Sequence, residues 1–295
     1  MSIQWFPGHM HQTKLALKER LKRIDLVIEL LDARIPGSSC NPLLERLAQD
    51  KVKLKLLNKS DLADPVISNA WLAYYRTQRN TQAFVISAKT GLDKKFLLTH
   101  IRTLLPQRGG MSKPLRLLIV GIPNVGKSFF INRLLNRAIT KTGDEPGITR
   151  KEQHLFWKDD VWIYDTPGIL WEKITPPQSA YRLAAVGSMG KNAYDAQQVA
   201  LHLCEYLQKF YWAYLVRRYC ITDIFNQHID SAHTYLTQLA RLRGAIFKGG
   251  ELNYQKIAEL FIQDFRSGQL GRISLERPEE WLAWKKETEL QEKQR

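Results

Sequence analysis

An α/β fold with a central, mostly parallel sheet, followed by a small all-helical C-terminal domain, is what this 295-residue sequence predicts. Three observations carry that expectation. Short apolar runs alternate with helix-patterned stretches through the first half of the chain, the arrangement of a parallel sheet covered on both faces. Beyond residues 175–177 the apolar runs cease and long helical patterns replace them. Hydrophobic residues at 44% and charged residues at 25% suit a chain that buries a sizeable core.

Residues 14–23 have helical spacing, with Leu15, Leu17 and Leu21 among basic residues. The apolar run 26–31, ending at Asp32, reads as a buried strand. Residues 52–57 form a second strand candidate despite Lys53 and Lys55, 84–86 a third, and 115–120 a fourth, the most apolar. Residues 153–157 and 161–164 pair as a hairpin across Lys158, Asp159 and Asp160. Helical patterns at 69–77, 94–104 and 129–135 fill the intervals. Residues 106–114, rich in Gly and Pro and without apolar periodicity, read as a linker. Past the break at Thr175, Pro176 and Pro177 come helical patterns at 194–218 and at 229–243, the latter ended by Gly244. A third is capped by Asn253 and stopped at Gly268, before a turn-rich piece and a charged helical tail. The expected division is 1–180 and 181–295.

Composition removes several classes of function. No stretch approaches the ~18 uninterrupted apolar residues of a membrane span, and the N-terminus lacks a secretory pattern. Cys40, Cys204 and Cys220 make no CxxC pair and no metal-ligand cluster, which suits a reducing cytoplasm and argues against structural zinc. A net charge of +15 points to a polyanionic partner, the other reading being a solvated basic surface. The first 181 residues hold 28 basic and 16 acidic residues, the remainder only 16 and 13. Lys14, Lys18, Arg20, Lys22, Arg23, Lys94, Lys95, Arg108 and Lys113 are the candidates there for phosphate contact.

The chemistry-bearing motifs sit at the ends of the strand candidates. Residues 121–128, GIPNVGKS, are a GxxxxGKS motif directly after one strand and before a helix. Glycines let such a loop wrap closely enough for several backbone N–H groups to converge on phosphate oxygens. Asn124, Val125, Gly126, Lys127, Ser128 and Phe129 are its expected contacts, with Lys127 reaching the β- and γ-phosphates and the Ser128 hydroxyl ligating Mg²⁺. Asn58, Lys59, Ser60 and Asp61 supply NKxD at the end of the 52–57 strand. The Asp61 carboxylate can accept from both N1–H and the 2-amino group of guanine, whereas adenine would leave it unpaired and desolvated. The Lys59 stem would lie against the base, Asn58 would brace neighbouring loops, and the Ser87-Ala88-Lys89 backbone would meet the guanine O6. Asp165 to Gly168 supply DxxG, with Asp165 holding Mg²⁺ through a water and the Gly168 N–H contacting the γ-phosphate. Thr149 is the expected switch hydroxyl on Mg²⁺, with Thr142 as its competitor.

These motifs resemble those of the TRAFAC GTPases, which typically run P-loop, switch threonine, DxxG, NKxD, SAK. Here the order is NKSD, SAK, GIPNVGKS, Thr149, DTPG, a circular permutation in which 106–114 replaces the usual termini. Within permuted GTPases the chain resembles the bacterial ribosome biogenesis GTPase A family through IQWFPGHM at 3–10, LLDARIPGSSCNP at 30–42, the motifs above, and DFRSGQLGRISLE at 264–276. A sister family carries an oligonucleotide-binding barrel before the G domain and a Cys/His zinc site after it. Neither fits here, because only residues 1–25 precede the first strand and there is no such cluster.

The resemblance implies binding and hydrolysis of GTP to GDP, with Mg²⁺, by a switch in assembly of the large ribosomal subunit. Its partners would be the large-subunit precursor and rRNA, with the protein monomeric off the ribosome. Contact with rRNA would extend to the helical domain, where Arg217, Arg218, Arg241, Arg243 and Lys248 are candidates. Ile169 follows DTPG where Ras-like enzymes place a water-orienting glutamine, so intrinsic turnover is expected to be slow. The resemblance suggests that His9 swings in to act; alternatively, Trp5, Phe6 and His9 tether the N-terminal arm. Asn124 resembles the asparagine linked to K⁺ activation in related GTPases; alternatively, it braces its own loop. With Lys127, Asn124, Thr149 and His9 the candidate catalytic set is complete. The competing class is a GTP-binding RNA- or ribosome-binding protein whose nucleotide is structural and never hydrolysed.

Overall fold

The computed structural model describes residues 10–137, 153–166, 170, 174–221 and 231–293. A helix, α1 (Met10–Leu21), precedes strand β1 (Leu26–Asp32), and short helices α2 (Pro36–Ser39) and α3 (Pro42–Leu47) lead to β2 (Val52–Asn58). Helix α4 (Pro65–Arg76), β3 (Thr81–Val85), α5 (Lys94–Leu104), β4 (Leu115–Gly121) and α6 (Lys127–Leu135) follow. Strands β5 (Gln153–Lys158) and β6 (Val161–Asp165) complete a six-stranded sheet of order β3-β2-β1-β4-β6-β5. All neighbours are parallel except the β5–β6 hairpin at the edge. The expected α/β class and mostly parallel sheet are what the chain adopts.

Strand β1 is buried at every position, which explains why it is apolar apart from Glu29 and the terminal Asp32. The two lysines of β2 also have a structural reason. Lys55 pairs in register with Glu29, and its ammonium lies 2.6 Å from the Glu29 carboxylate, 2.7 Å from Glu45 and 3.2 Å from the Cys40 sulfur. Among the described residues Glu29, Cys40 and Glu45 are the one grouping spaced like metal ligands, and Lys55 stands at its centre. Burial pushes the Cys40 thiol well above its ordinary range, with Glu29 adding to the effect. The cluster is a satisfied core network, not a metal or nucleophile site.

Helices pack on both faces. On one, Leu17 and Leu21 of α1 and Leu44 of α3 cover Val27, Leu118 and Val120. On the other, one continuous core runs from Leu26, Ile28, Leu30, Leu117 and Ile119 into the C-terminal helices. These are α7 (Gln178–Ala185), α8 (Ala196–Phe210), α9 (Trp212–Tyr219), α10 (Ala232–Leu242) and α11 (Tyr254–Arg266), while α12 (Pro278–Lys293) packs its Trp281 on a separate cluster with Trp71 and Tyr75. Among the described residues no helix is long and apolar enough to cross a membrane.

Two expectations need correction. The third strand begins at Thr81, not 84, because Thr81 and Ala83 are the buried positions while polar Gln82 points outward, so the apolar signal starts late. The long pattern at 194–218 is two helices, broken at Tyr211. There the Tyr211 hydroxyl donates to Asp64 at 3.1 Å and accepts from the Ser274 N–H at 3.2 Å, partners that no local pattern reveals.

After α11 the chain returns to the sheet: Ile273 N–H donates to the Leu62 carbonyl and Leu275 N–H to that of Arg34. Trp281 of α12 meets Trp71 of α4 with ring centres 5.9 Å apart. Gly37 lies between them, where an added Cβ would be 2.5 Å from Trp71 and 2.7 Å from Trp281. Any larger residue there would have to part the two tryptophans.

Candidate functional site

The sheet grows one way from β1 through β2 and β3, and the other way from β4 to β6. The rim above the C-terminal ends of β1 and β4 is therefore the switch point, the place where open α/β sheets accept ligands. Strand β4 ends there in the 121–128 loop. Gly121 has no room for a Cβ, which would meet the Leu30 carbonyl and Val125 at 2.9 Å each. Gly126 adopts φ 93°, and a Cβ there would lie 2.7 Å from the Asn58 amide nitrogen. Helix α6 starts at Lys127, and Gly126 offers its first turn no side-chain cap. An uncapped helix N-terminus beneath a wrapped loop is an anion-binding arrangement.

Asn58, at the end of β2, joins three of the motifs. Its side-chain NH₂ donates to the Val125 carbonyl at 2.8 Å, and its carbonyl accepts from the Ala88 N–H at 3.0 Å. Lys59, in the left-handed region at φ 61°, donates to the Asn124 carbonyl at 2.6 Å. The Ser87 hydroxyl donates to Asp61 at 2.7 Å and accepts from the Thr90 N–H. Segments around positions 58, 87 and 121 thus meet on one rim, with Asp61 among them.

Asp165, at the end of β6, is fully buried and contacts the Lys127 ammonium, itself 6% exposed. Burial raises the Asp165 carboxyl, and the Lys127 contact only partly opposes this. Burial likewise lowers the Lys127 ammonium against the pull of Asp165. Its second oxygen, Oδ2, has no hydrogen-bond partner among the described residues. A buried acceptor left unpaired is a group that a ligand, metal-bound water or ion would satisfy.

The other predicted residues divide. Ser128 lies in the first turn of α6. Phe129, also in that first turn, is 38% exposed with the Arg133 guanidinium over its ring. Lys89 is exposed and its carbonyl accepts from Arg133. The Asn124 side-chain NH₂ donates to the Gly187 carbonyl at 2.8 Å. His9, Thr142, Thr149, Gly168 and Ile169 lie outside the described residues.

Sequence reasoning left Asp32 and Arg34 without a role. Arg34 grips Asp32 through Nε and Nη2 at 2.9 and 2.7 Å, and Lys59 adds a contact at 3.2 Å. Although burial opposes ionisation, these two cations hold the Asp32 carboxyl well below the usual carboxylate range. Asp32 therefore anchors Lys59. The signal available was a charged residue ending an apolar strand next to the NKxD strand, and it does not name its partner.

Residues 116–218 match the 50S ribosome-binding GTPase family. A ribosome biogenesis GTPase A from Bacillus pumilus (strain SAFR-032) is 39% identical over 95% of this chain and 100% of its own length. One from Thermotoga maritima is 30% identical over 94% of this chain and 95% of its own. The structure of GNP-bound YlqF from T. maritima aligns with TM-score 0.63 at 27% identity, covering 91% of this chain and 99% of that one.

Proposed function

The chain belongs to the ribosome biogenesis GTPase A family, and from that premise we propose that it is a switch that docks on the immature large ribosomal subunit and changes its contacts when GTP is hydrolysed. That it is a GTP hydrolase follows from the family and the matched GTPase domain. The competing class, a never-hydrolysed structural nucleotide, gives way accordingly. The observation that carries the site reading is Asn58, which ties the phosphate loop to the 87–89 loop with Asp61 on the same rim.

In this reading Asn58, Lys59, Asp61, Ser87, Ala88 and Lys89 serve the guanine side, while residues 124–129 and Gly168 serve the phosphates. Mg²⁺ would be held by Ser128, Asp165 and Thr149, and the unpaired Asp165 oxygen fits that assignment. The ion supplies charge neutralisation at the β- and γ-phosphates. Lys127 orients and neutralises the same oxygens from the protein side. Because Ile169 cannot orient water, acceleration falls to His9 or to the ribosomal partner. For Asn124 the hydrogen bond to Gly187 favours the bracing role. A K⁺ role would show as phosphate release in KCl but not NaCl.

Circular permutation is part of the proposal, supported by strands β2, β3, β4 and β6 running to one rim in the chain order NKSD, 87–89, P-loop, Asp165. So is the division into 1–180 and 181–295. For rRNA, exposed Lys18, Arg23, Lys95, Lys113, Arg241 and Lys248 are the better candidates. Arg108 is paired with Asp25 and Arg218 with Asp264, while Arg20 lies over Tyr164 and Arg243 over Tyr219. A cytoplasmic protein, monomeric away from the ribosome, completes the reading. Loaded with a non-hydrolysable GTP analogue, the protein should pellet with large-subunit precursors and be released in GDP and at high salt. Pelleting with small-subunit particles, or with none, would overturn it.

A further inference from the structure

The segment DFRSGQLGRISLE, residues 264–276, has no role in the nucleotide chemistry described above, yet it packs on the loop that carries Asp61. The Arg272 guanidinium donates from Nη2 to the Ser60 carbonyl and from Nε to the Ala63 carbonyl, both at 2.9 Å. Ile273 N–H donates to the Leu62 carbonyl at 2.9 Å. Asp64 N–H donates to the Ser274 hydroxyl at 3.2 Å, and the Asp64 side chain accepts from Tyr211. Gly268 is packed so closely on Leu62 that an added Cβ would sit 2.7 Å from its methyl. The backbone on either side of Asp61 is thus gripped by residues more than two hundred positions away.

We infer that Arg272 is a positioning residue for guanine recognition, holding the 60–63 backbone so that the Asp61 carboxylate is aimed at the base. The inference rests on the reading of Asp61 as the guanine acceptor. Its physical reason is that Asp61 stands just after a left-handed residue, Lys59, on a strand-to-helix loop. The loop has turn hydrogen bonds of its own from Leu62 to Lys59 and from Ala63 to Ser60, and Ser87 donates to Asp61. Base discrimination, however, requires the acceptor to be fixed to a fraction of an ångström, and Arg272 adds a restraint to the carbonyls on both sides of Asp61. One planar guanidinium spanning two carbonyls supplies that restraint, and a lysine cannot reproduce its fork. The same segment grips the other side of the site. Arg266 donates to the Ala184 and Ala185 carbonyls at the end of α7, beside the Gly187 that receives Asn124. Docking of the C-terminal region and affinity for guanine nucleotide are therefore linked, and linkage is reciprocal.

The test is to titrate full-length wild type, Arg272→Ala, Arg272→Lys and Asp61→Asn with GDP, with ADP, and with inorganic tripolyphosphate, which has no base. Arg272→Ala should weaken GDP about tenfold and narrow the GDP-over-ADP preference by the same factor, the worth of one or two lost hydrogen bonds. Tripolyphosphate should bind within about twofold of wild type, and Arg272→Lys should fall between the two. Asp61→Asn should abolish the base preference. GDP affinity unchanged in Arg272→Ala, with preference lost in Asp61→Asn, would refute the positioning role and leave the base reading intact. Equal weakening of GDP and tripolyphosphate would make Arg272 a merely structural residue. Preference retained in Asp61→Asn would remove the base reading, and this inference with it.

Discussion

Asp32 at the end of β1 and Asp165 at the end of β6 are both fully buried aspartates facing a basic side chain, yet their environments push them in opposite directions. Asp32 accepts from the Arg34 backbone, Nε and Nη2 and is flanked by Lys59, so its carboxyl is depressed in spite of burial. Arg34 in turn stacks over Phe265, although its Nη1 lacks a hydrogen-bond partner among the described residues. Asp165 has Lys127 and a backbone hydrogen bond from Thr166, one oxygen unpaired, and a carboxyl that burial raises. A buried ion pair with its valences filled is scaffold; one whose desolvation is not offset is a place built for something else to bind. Burial alone does not distinguish them.

Three substitutions would break or sharpen this contrast. The largest effect is expected from Asp32→Asn, which strands the Arg34 charge in the core. Denaturant unfolding should show a loss of about 3–5 kcal/mol. A loss under ~1 kcal/mol would mean that the pair is not scaffold. Next comes Lys127→Met, for which fluorescent-nucleotide titration should show GDP affinity down by about 10²–10³. Its melting temperature should fall, because Asp165 is left buried without its cation. The fall should be smaller than for Asp32→Asn, because a carboxyl already raised by burial can take up a proton while a stranded guanidinium cannot lose one. Destabilisation as deep as that of Asp32→Asn would erase the distinction between the two pairs.

The smallest effect is on the pH dependence of stability. Asp32 has a folded pKa below the unfolded value of about 3.9, so its contribution is complete above that pH and is lost as pH falls beneath it. Asp165 has a raised folded pKa, so burying its charge costs stability above that value, and the cost is relieved as pH falls towards about 4. Asp32→Asn should therefore flatten the acid loss below pH ~4, while Asp165→Asn should remove a stabilising contribution that develops as pH approaches ~4 from above. Unfolding free energies at several pH values check both signs, and a shared sign would show that the two carboxyls are not differently tuned.

Residues 121–128, the NKxD motif and Asp165 were legible as site candidates because each follows a strand and its chemistry depends on a few adjacent residues. Strand β1 was legible because a strand covered on both faces is predominantly apolar, here with Glu29 as its one internal charge. Asn253 caps α11 through the Lys256 N–H, and Gly244 takes a left-handed turn after α10, both as their local chemistry dictates. These are short-range effects, decided within a few bonds, and the sequence by itself determined them. The break at Tyr211, the partners of Lys55, the filling of Asp32's valences and the grip of Arg272 on Ser60 and Ala63 were decided only by the tertiary structure. Each depends on which distant side chain arrives at a given point, and hydrogen-bond geometry over that range is set by packing of the whole chain, not by any local pattern.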